Sequence, residues 1–146
     1  PGLRSGFVAG DPVIIKRFNA LRSYCSATVP MPIMAASAEL WADDAHASQN
    51  RDLYRAKIDV AQEIFGNRFG FYRPPGGFFL WLDVGDDEAA TKKIWVEAGV
   101  KVIPGSYLSI TDANGNNPGK RFIRIALVHD LETTREGLRR IADALS

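Results

Sequence analysis

Apolar and polar positions along the chain change period several times, and each change marks an element. Val13, Ile14, Phe18 and Leu21 recur at helical spacing behind Asp11-Pro12. That pattern predicts a helix to about Tyr24, with Asp11 as its cap and Pro12 in the first turn, where a missing N–H costs nothing. Ahead of it, residues 1–6 read as loop, and Phe7-Val8-Ala9, closed by Gly10, reads as a short strand end. Ser23 to Pro32 is rich in small residues and proline and predicts a loop. Two further helices are predicted. One covers about 33–43 on Ile33, Met34, Ala38, Leu40 and Trp41; the other covers about 48–66 on Leu53, Tyr54, Ile58, Ala61, Ile64 and Phe65, with Gly66 where a C-cap glycine belongs.

From residue 78 the pattern alternates between strand and helix. Phe78 to Leu82 is unbroken apolar sequence and predicts a strand buried on both faces. Asp87 to Ala98 predicts a helix ended by Gly99, and Val100 to Ile103 a short strand closed by Pro104-Gly105. Asp112 to Gly119 is a polar, glycine-rich connection. Arg121 to Val128 predicts a strand, and Asp130 to Leu145 a helix with an Asp cap and a stripe of Leu131, Leu138, Ile141, Ala142 and Leu145. The order strand, helix, strand, strand, helix predicts a small α/β sandwich. Residues 1–32 do not fit into it, and 33–66 reads as the connection.

Composition narrows the class. Of 146 residues, 46% are apolar and 24% charged, the balance of one globular domain. Eighteen basic residues against seventeen acidic ones leave a net charge of +1, so no field of one sign draws in nucleic acid or an anionic membrane. The longest uncharged run, Ser23 to Ala38, contains Pro30 and Pro32 and falls short of the ~20 apolar residues a spanning helix needs. No stretch reads as a signal peptide, and the expected compartment is the cytoplasm. Cys25 is the only cysteine, so neither an internal disulfide nor a Cys-based metal site is expected. Asp43, Asp44 and His46 read as solvated or capping groups rather than metal ligands. The opening Pro-Gly-Leu-Arg-Ser-Gly, without Met, reads as the middle of a longer protein.

The most informative residue is Arg124, inside Phe122-Ile123-Arg124-Ile125-Ala126-Leu127-Val128. Strand alternation puts Ile123, Ile125 and Leu127 on one face and Arg124 on the other, with Phe122, Ala126 and Val128. A guanidinium among apolar neighbours needs a partner, and its planar fork suits a carboxylate. Two partners remain open at this level: a carboxylate of this chain, or that of a ligand. Arg4, between Gly2 and Gly6, stands where backbone can approach an anion closely, although most loop arginines are simply solvated. Pro104-Gly105-Ser106-Tyr107 ends a strand in a tight turn, an ordinary turn or a ligand-facing one. Ser106 has no His or acid near it in sequence to make it a nucleophile.

Four stretches in order resemble the C-terminal part of the class I/II pyridoxal-phosphate-dependent aminotransferases of fold type I. They are Pro1-Gly2-Leu3-Arg4-Ser5-Gly6-Phe7-Val8-Ala9-Gly10, Pro75-Gly76-Gly77-Phe78-Phe79-Leu80-Trp81, Val102-Ile103-Pro104-Gly105-Ser106-Tyr107 and Arg121-Phe122-Ile123-Arg124-Ile125-Ala126-Leu127. The resemblance covers essentially the whole chain. Within the class, Gly2 to Asp11 together with Asn117-Pro118-Gly119 look most like the succinyldiaminopimelate transaminases of lysine biosynthesis.

The resemblance implies an α/β fold consisting of the small C-terminal domain (67–146), connecting helices (33–66) and a remnant of the large cofactor domain (1–32). It implies pyridoxal 5'-phosphate as cofactor, an amino acid and a 2-oxo acid as substrates, and a homodimer, with Ser26 to Pro32 near its interface. It gives Arg4 the cofactor phosphate and Arg124 the substrate α-carboxylate, and it makes Tyr107 and Ser106 pocket-lining residues. The family's Schiff-base lysine lies a few residues before the Gly-x-Arg-x-Gly loop, hence before Pro1. None of Lys16, Lys57, Lys92, Lys93, Lys101 or Lys120 occupies that place. The resemblance therefore implies no catalytic residue within the chain, and an isolated chain without transaminase activity. Two other readings stay open: a non-catalytic α/β module that holds a carboxylate metabolite through Arg124, and a structural domain in which Arg124 makes an internal salt bridge.

Overall fold

The computed structural model describes residues 2–25 and 28–146. Two compact units divide the chain, Pro1–Ser48 and Gln49–Ser146.

In the first unit, Asp11 caps helix α1 (Pro12–Cys25) as its sequence predicts: its carboxylate accepts from the N–H groups of Val13 at 2.8 Å and Ile14 at 3.2 Å. Helix α2 (Met31–Ala42) starts two residues earlier than its apolar pattern suggests, because Pro32 suits a first turn. Phe7-Val8-Ala9 is not a strand. Extended backbone becomes a strand only when a neighbour pairs with it, and no described strand does so here. Phe7 packs edge-on against Trp41, with ring centres 4.8 Å apart, and the Ser37 hydroxyl bonds to that of Ser5 at 2.8 Å. No described residue of this unit is buried. Ser26 and Ala27, the start of the segment expected near a dimer interface, lie outside the described residues.

Helix α3 (Ala45–Phe65) leads into the second unit, and its C-terminal half carries the buried residues Lys57, Ile58, Val60, Ala61 and Phe65. Gly66 follows at φ 58°, the left-handed C-cap that its position predicts. Strands β1 (Phe79–Asp83), β2 (Ile103–Pro104) and β3 (Phe122–Ala126) form an antiparallel sheet with β3 in the middle. Leu80 and Leu82 of β1 and Ile123 and Ile125 of β3 enter the core with α3 and with Leu138 and Ile141 of α5 (Leu131–Ala144).

The opposite face carries Phe79, Trp81, Phe122 and Arg124 and is only partly covered. The run Phe78 to Leu82 is therefore buried on one face rather than two, because this core lies on one side of the sheet. Pro104 sits on an edge strand, where its missing donor is harmless; of the expected strand Val100 to Ile103 the ladder keeps only Ile103, and it adds Pro104. Helix α4 (Asp87–Lys93) gives way to a wider turn over Ile94–Ala98, which Gly99 closes at φ 64°. Leu131 stays largely exposed, and Thr134 takes the buried place one turn before Leu138. No described helix is long and apolar enough to cross a membrane.

Candidate functional site

Arg124 lies opposite Trp81 in the β1–β3 ladder and opposite Ile103 in the β2–β3 ladder. Its neighbours in the strand, Ile123 and Ile125, go into the core, so the pleat turns Arg124 to the half-open face. Among the described residues no carboxylate forms an ion pair with it. Its Nε is buried and has no hydrogen-bond partner. The nearby cation Arg121, by contrast, is paired with Asp83 at 3.1 Å. An open cavity of about 770 Å³ lies beside the strand, with Arg124, Ile103, Leu127, Thr134 and Ile141 in its walls.

The turn Gly105–Leu108 follows β2 directly, so Ser106 and Tyr107 stand beyond the strand that pairs with Arg124. Tyr107 is 72% exposed and turned to solvent. Ser106 is held from several sides. Its N–H donates to the Asp87 carboxylate at 2.8 Å, and its carbonyl accepts from Asn117 Nδ2 at 3.2 Å. Its buried Oγ finds no partner in hydrogen-bond geometry, although it lies near enough to Asp87 to favour the ionised carboxylate. Two glycines let the chain close here. A Cβ on Gly105 would strike the carbonyl oxygen of Gly119 and come within 2.7 Å of that of Phe122; one on Gly119 would strike the Gly105 backbone. The Asn117 side chain accepts from the Gly119 N–H at 2.9 Å and sets the same crossing.

Asp87 is 1% exposed, and its sequence context suggests no more than a helix start. Asp86 is in fact the cap, accepting from the Ala89 N–H at 3.0 Å. Asp87 instead reaches across to the Ser106 turn. Burial pushes its carboxyl up, but the Ser106 hydroxyl and N–H and the first N–H groups of α4 outweigh this and hold it below the usual carboxylate range. Lys57 is a second residue whose place is hidden in the sequence. It is buried on α3, and its ammonium donates to the Leu127 carbonyl at 3.0 Å, which ties α3 to the end of β3.

Arg4 belongs to the first unit. It sits in a turn at φ 55°, a left-handed conformation unusual for a side-chain-bearing residue, and it is exposed. Gly2 and Gly6 beside it face open space. Among the described residues it has no acidic partner. An unpaired guanidinium on an open turn is a donor set that fits a phosphate. Ser106, Tyr107 and Arg124 all belong to the second unit, but the turn passes toward Phe122 and Gly119 rather than Arg124, and neither Ser106 nor Tyr107 lines the cavity beside Arg124; Arg4 stands in the first unit. No group of three or more potential metal ligands occurs among the described residues.

The family model for aminotransferase class I and II matches residues 1–141. The chain is 30% identical over 86% of its length to the 4-dedimethylamino-4-oxo-anhydrotetracycline transaminase OxyQ of Streptomyces rimosus, of which it covers 33%. Its fold superposes with a TM-score of 0.83 on an aminotransferase from Neisseria meningitidis, at 37% identity, covering all of this chain and 37% of that one. The α-aminoadipate aminotransferase LysN of Thermus thermophilus, solved with N-(5'-phosphopyridoxyl)-L-leucine, gives 0.76 at 25% identity over 99% of this chain and 38% of its own. The chain belongs to the class I and II aminotransferases, and its fold is that of a part of a fold type I enzyme. It spans about a third of the length of the curated relatives it matches.

A carboxylate whose folded-state pKa is depressed stabilises the fold above its unfolded pKa, and that contribution is lost as the pH falls through the folded value. Replacing Asp87 by Asn should therefore cost about 1.5–3 kcal/mol near neutrality, the range for a hydrogen bond to a charged group. It should also flatten the loss of stability on acidification below the usual carboxylate range. Urea melts between pH 7 and pH 3 check this. Equal acid sensitivity in both proteins would show that Asp87 does not hold the turn through its charge.

Proposed function

We propose that the whole protein is a cytoplasmic, pyridoxal 5'-phosphate-dependent transaminase that moves an amino group between an amino acid, with glutamate as donor, and a 2-oxo acid. The observation that carries this reading is Arg124, a guanidinium with no acidic partner among the described residues, on the half-open face of a sheet in a chain of the aminotransferase family. Arg124 would grip the substrate α-carboxylate, Arg4 the cofactor phosphate, and Tyr107 and Ser106 would line the pocket. When bound, the cofactor supplies the electron sink for labilising bonds at the amino-bearing carbon. What this chain's residues supply is binding and orientation: a fixed fork for one end of the substrate and a fixed cation for the phosphate. On this reading 1–32 belongs to the cofactor domain, 33–66 connects, and 67–146 is the small domain. Residues 1–146 alone should not transaminate, since none of their lysines matches the family's Schiff-base position.

Within the class, the resemblance of Gly2 to Asp11 and of Asn117-Pro118-Gly119 favours an N-succinylated diaminopimelate as the amino-bearing substrate, in lysine biosynthesis. Asn117 and Gly119 help build the turn that carries Ser106 and Tyr107, the residues read as pocket-lining.

A homodimer is part of the same proposal. Its support is the apolar surface of the first unit, where Phe7 is 71% exposed and Val13, Ile14 and Leu21 of α1 are also open. Patches of this kind are usually covered by another surface. Sedimentation of the whole protein should give a dimer at micromolar concentration, and a monomer across the concentration series would contradict it.

Replacing Arg124 by Ala in the whole protein should lower kcat/KM for the amino donor about tenfold to a hundredfold or more, from the loss of charge-assisted bonds of about 1.5–3 kcal/mol each. Arg124→Lys should recover only part, because an ammonium lacks the fork. Replacing Arg4 by Ala should weaken cofactor binding more than substrate binding, as read by absorbance titration with pyridoxal 5'-phosphate. Unchanged kcat/KM with a lowered Tm for Arg124→Ala, or unchanged cofactor affinity for Arg4→Ala, would contradict the respective role.

A further inference from the structure

A run of flat side chains leads from Arg124 on the half-open face to helix α3, and the proposed function leaves it unused. The Arg124 guanidinium carbon lies 4.4 Å from the centre of the Phe79 ring. Phe79 packs on Phe78 with centres 4.1 Å apart, and Phe78 meets Tyr54 at 5.8 Å. The Lys57 ammonium lies 4.9 Å from the Tyr54 ring. Phe79 and Arg124 are diagonal neighbours across the β1–β3 ladder, since Trp81 is directly opposite Arg124 and Ala126 directly opposite Phe79. Both are therefore fixed by paired backbone, and Phe78 supports the ring.

The burial of Arg124 is uneven. Its Nε is sealed and unbonded, and no acidic side chain among the described residues compensates it. The ring face of Phe79 is the electron-rich surface at hand to offset that lost hydration. With Nε closed off, a carboxylate can approach only the two Nη groups, end-on. Phe79 remains 39% exposed, so it is not there simply to fill the core.

We propose that Phe79 is a positioning residue for carboxylate recognition: its ring holds the Arg124 guanidinium plane so that the two Nη groups are aimed before the carboxylate arrives. The proposal rests on the assignment of Arg124 as the carboxylate grip. An arginine side chain has many rotamers, and holding one of them in advance removes an ordering cost from binding. Leucine fills comparable space without a π face; tryptophan offers a better one.

The test is calorimetric titration of the whole protein with glutarate, with uncharged glutaramide as control. Phe79→Leu should weaken glutarate about threefold to tenfold with an unchanged Tm, while Phe79→Trp should bind it as well as the parent or more tightly, and glutaramide should bind none of them appreciably. Arg124→Ala should abolish glutarate binding. If Arg124→Ala binds glutarate normally, the assignment of Arg124 falls and the proposal falls with it. If Arg124→Ala abolishes binding but Phe79→Leu leaves it unchanged, or Phe79→Trp weakens it, Arg124 stands and the role of Phe79 is overturned. Should Phe79→Leu fail to fold, Phe79→Trp against the parent decides alone.

Discussion

The two-residue alternation of β3 is the constraint on which the second unit depends. Ile123 and Ile125 must enter the core, where they meet Leu80, Leu82 and the apolar faces of α3 and α5. A strand cannot bury both without turning the residue between them to the other side. Arg124 is that residue, and a one-residue slip would put its charge into the core and two isoleucines on the open face. The register with β1 and β2 thus protects the fold and aims the guanidinium by the same hydrogen bonds. Lys57 reinforces it by anchoring α3 to the Leu127 carbonyl.

The surroundings of Arg124 separate two ways of treating a cation. Arg121, three residues earlier in the chain, is exposed and paired with Asp83, an arrangement that in water contributes little beyond local order. Arg124 is partly buried with no acidic partner, against an aromatic ring. Leaving such a group unpaired is costly for a purely structural residue, and it is what a binding residue requires. The Ser106 turn is set by close packing and a charge: Gly105 and Gly119 cross so closely that neither tolerates a side chain, and the buried Asp87 carboxylate accepts from the Ser106 N–H.

Much of this was legible in the residues. Caps and stops were the clearest signals, because Asp11, Gly66, Asp130 and Gly99 act through backbone groups a few residues away. Arg124 stood out because a charge in an apolar strand breaks its pattern. Other features depend on partners distant in sequence and leave no local trace. Asp87 looks like one more acid at a helix start, yet its contact lies 19 residues on. Phe79 reads as core because burial of one face or two depends on where the helices pack. Phe7-Val8-Ala9 has strand composition and no paired neighbour among the described residues, so composition alone misled there. Four motifs in order carry the resemblance to the aminotransferase class, which neither composition nor periodicity supplies, and the family model over residues 1–141 bears it out.

The central requirement on Arg124 is that it meets a ligand's carboxylate rather than one of the chain's own. A crystal structure of the whole protein with glutarate addresses this most directly. One carboxylate should lie end-on to the Arg124 Nη pair, within hydrogen-bond distance of both nitrogens, with the Phe79 ring still against the guanidinium. Glutarate bound elsewhere, with Arg124 paired to an Asp or Glu of the protein, would contradict it.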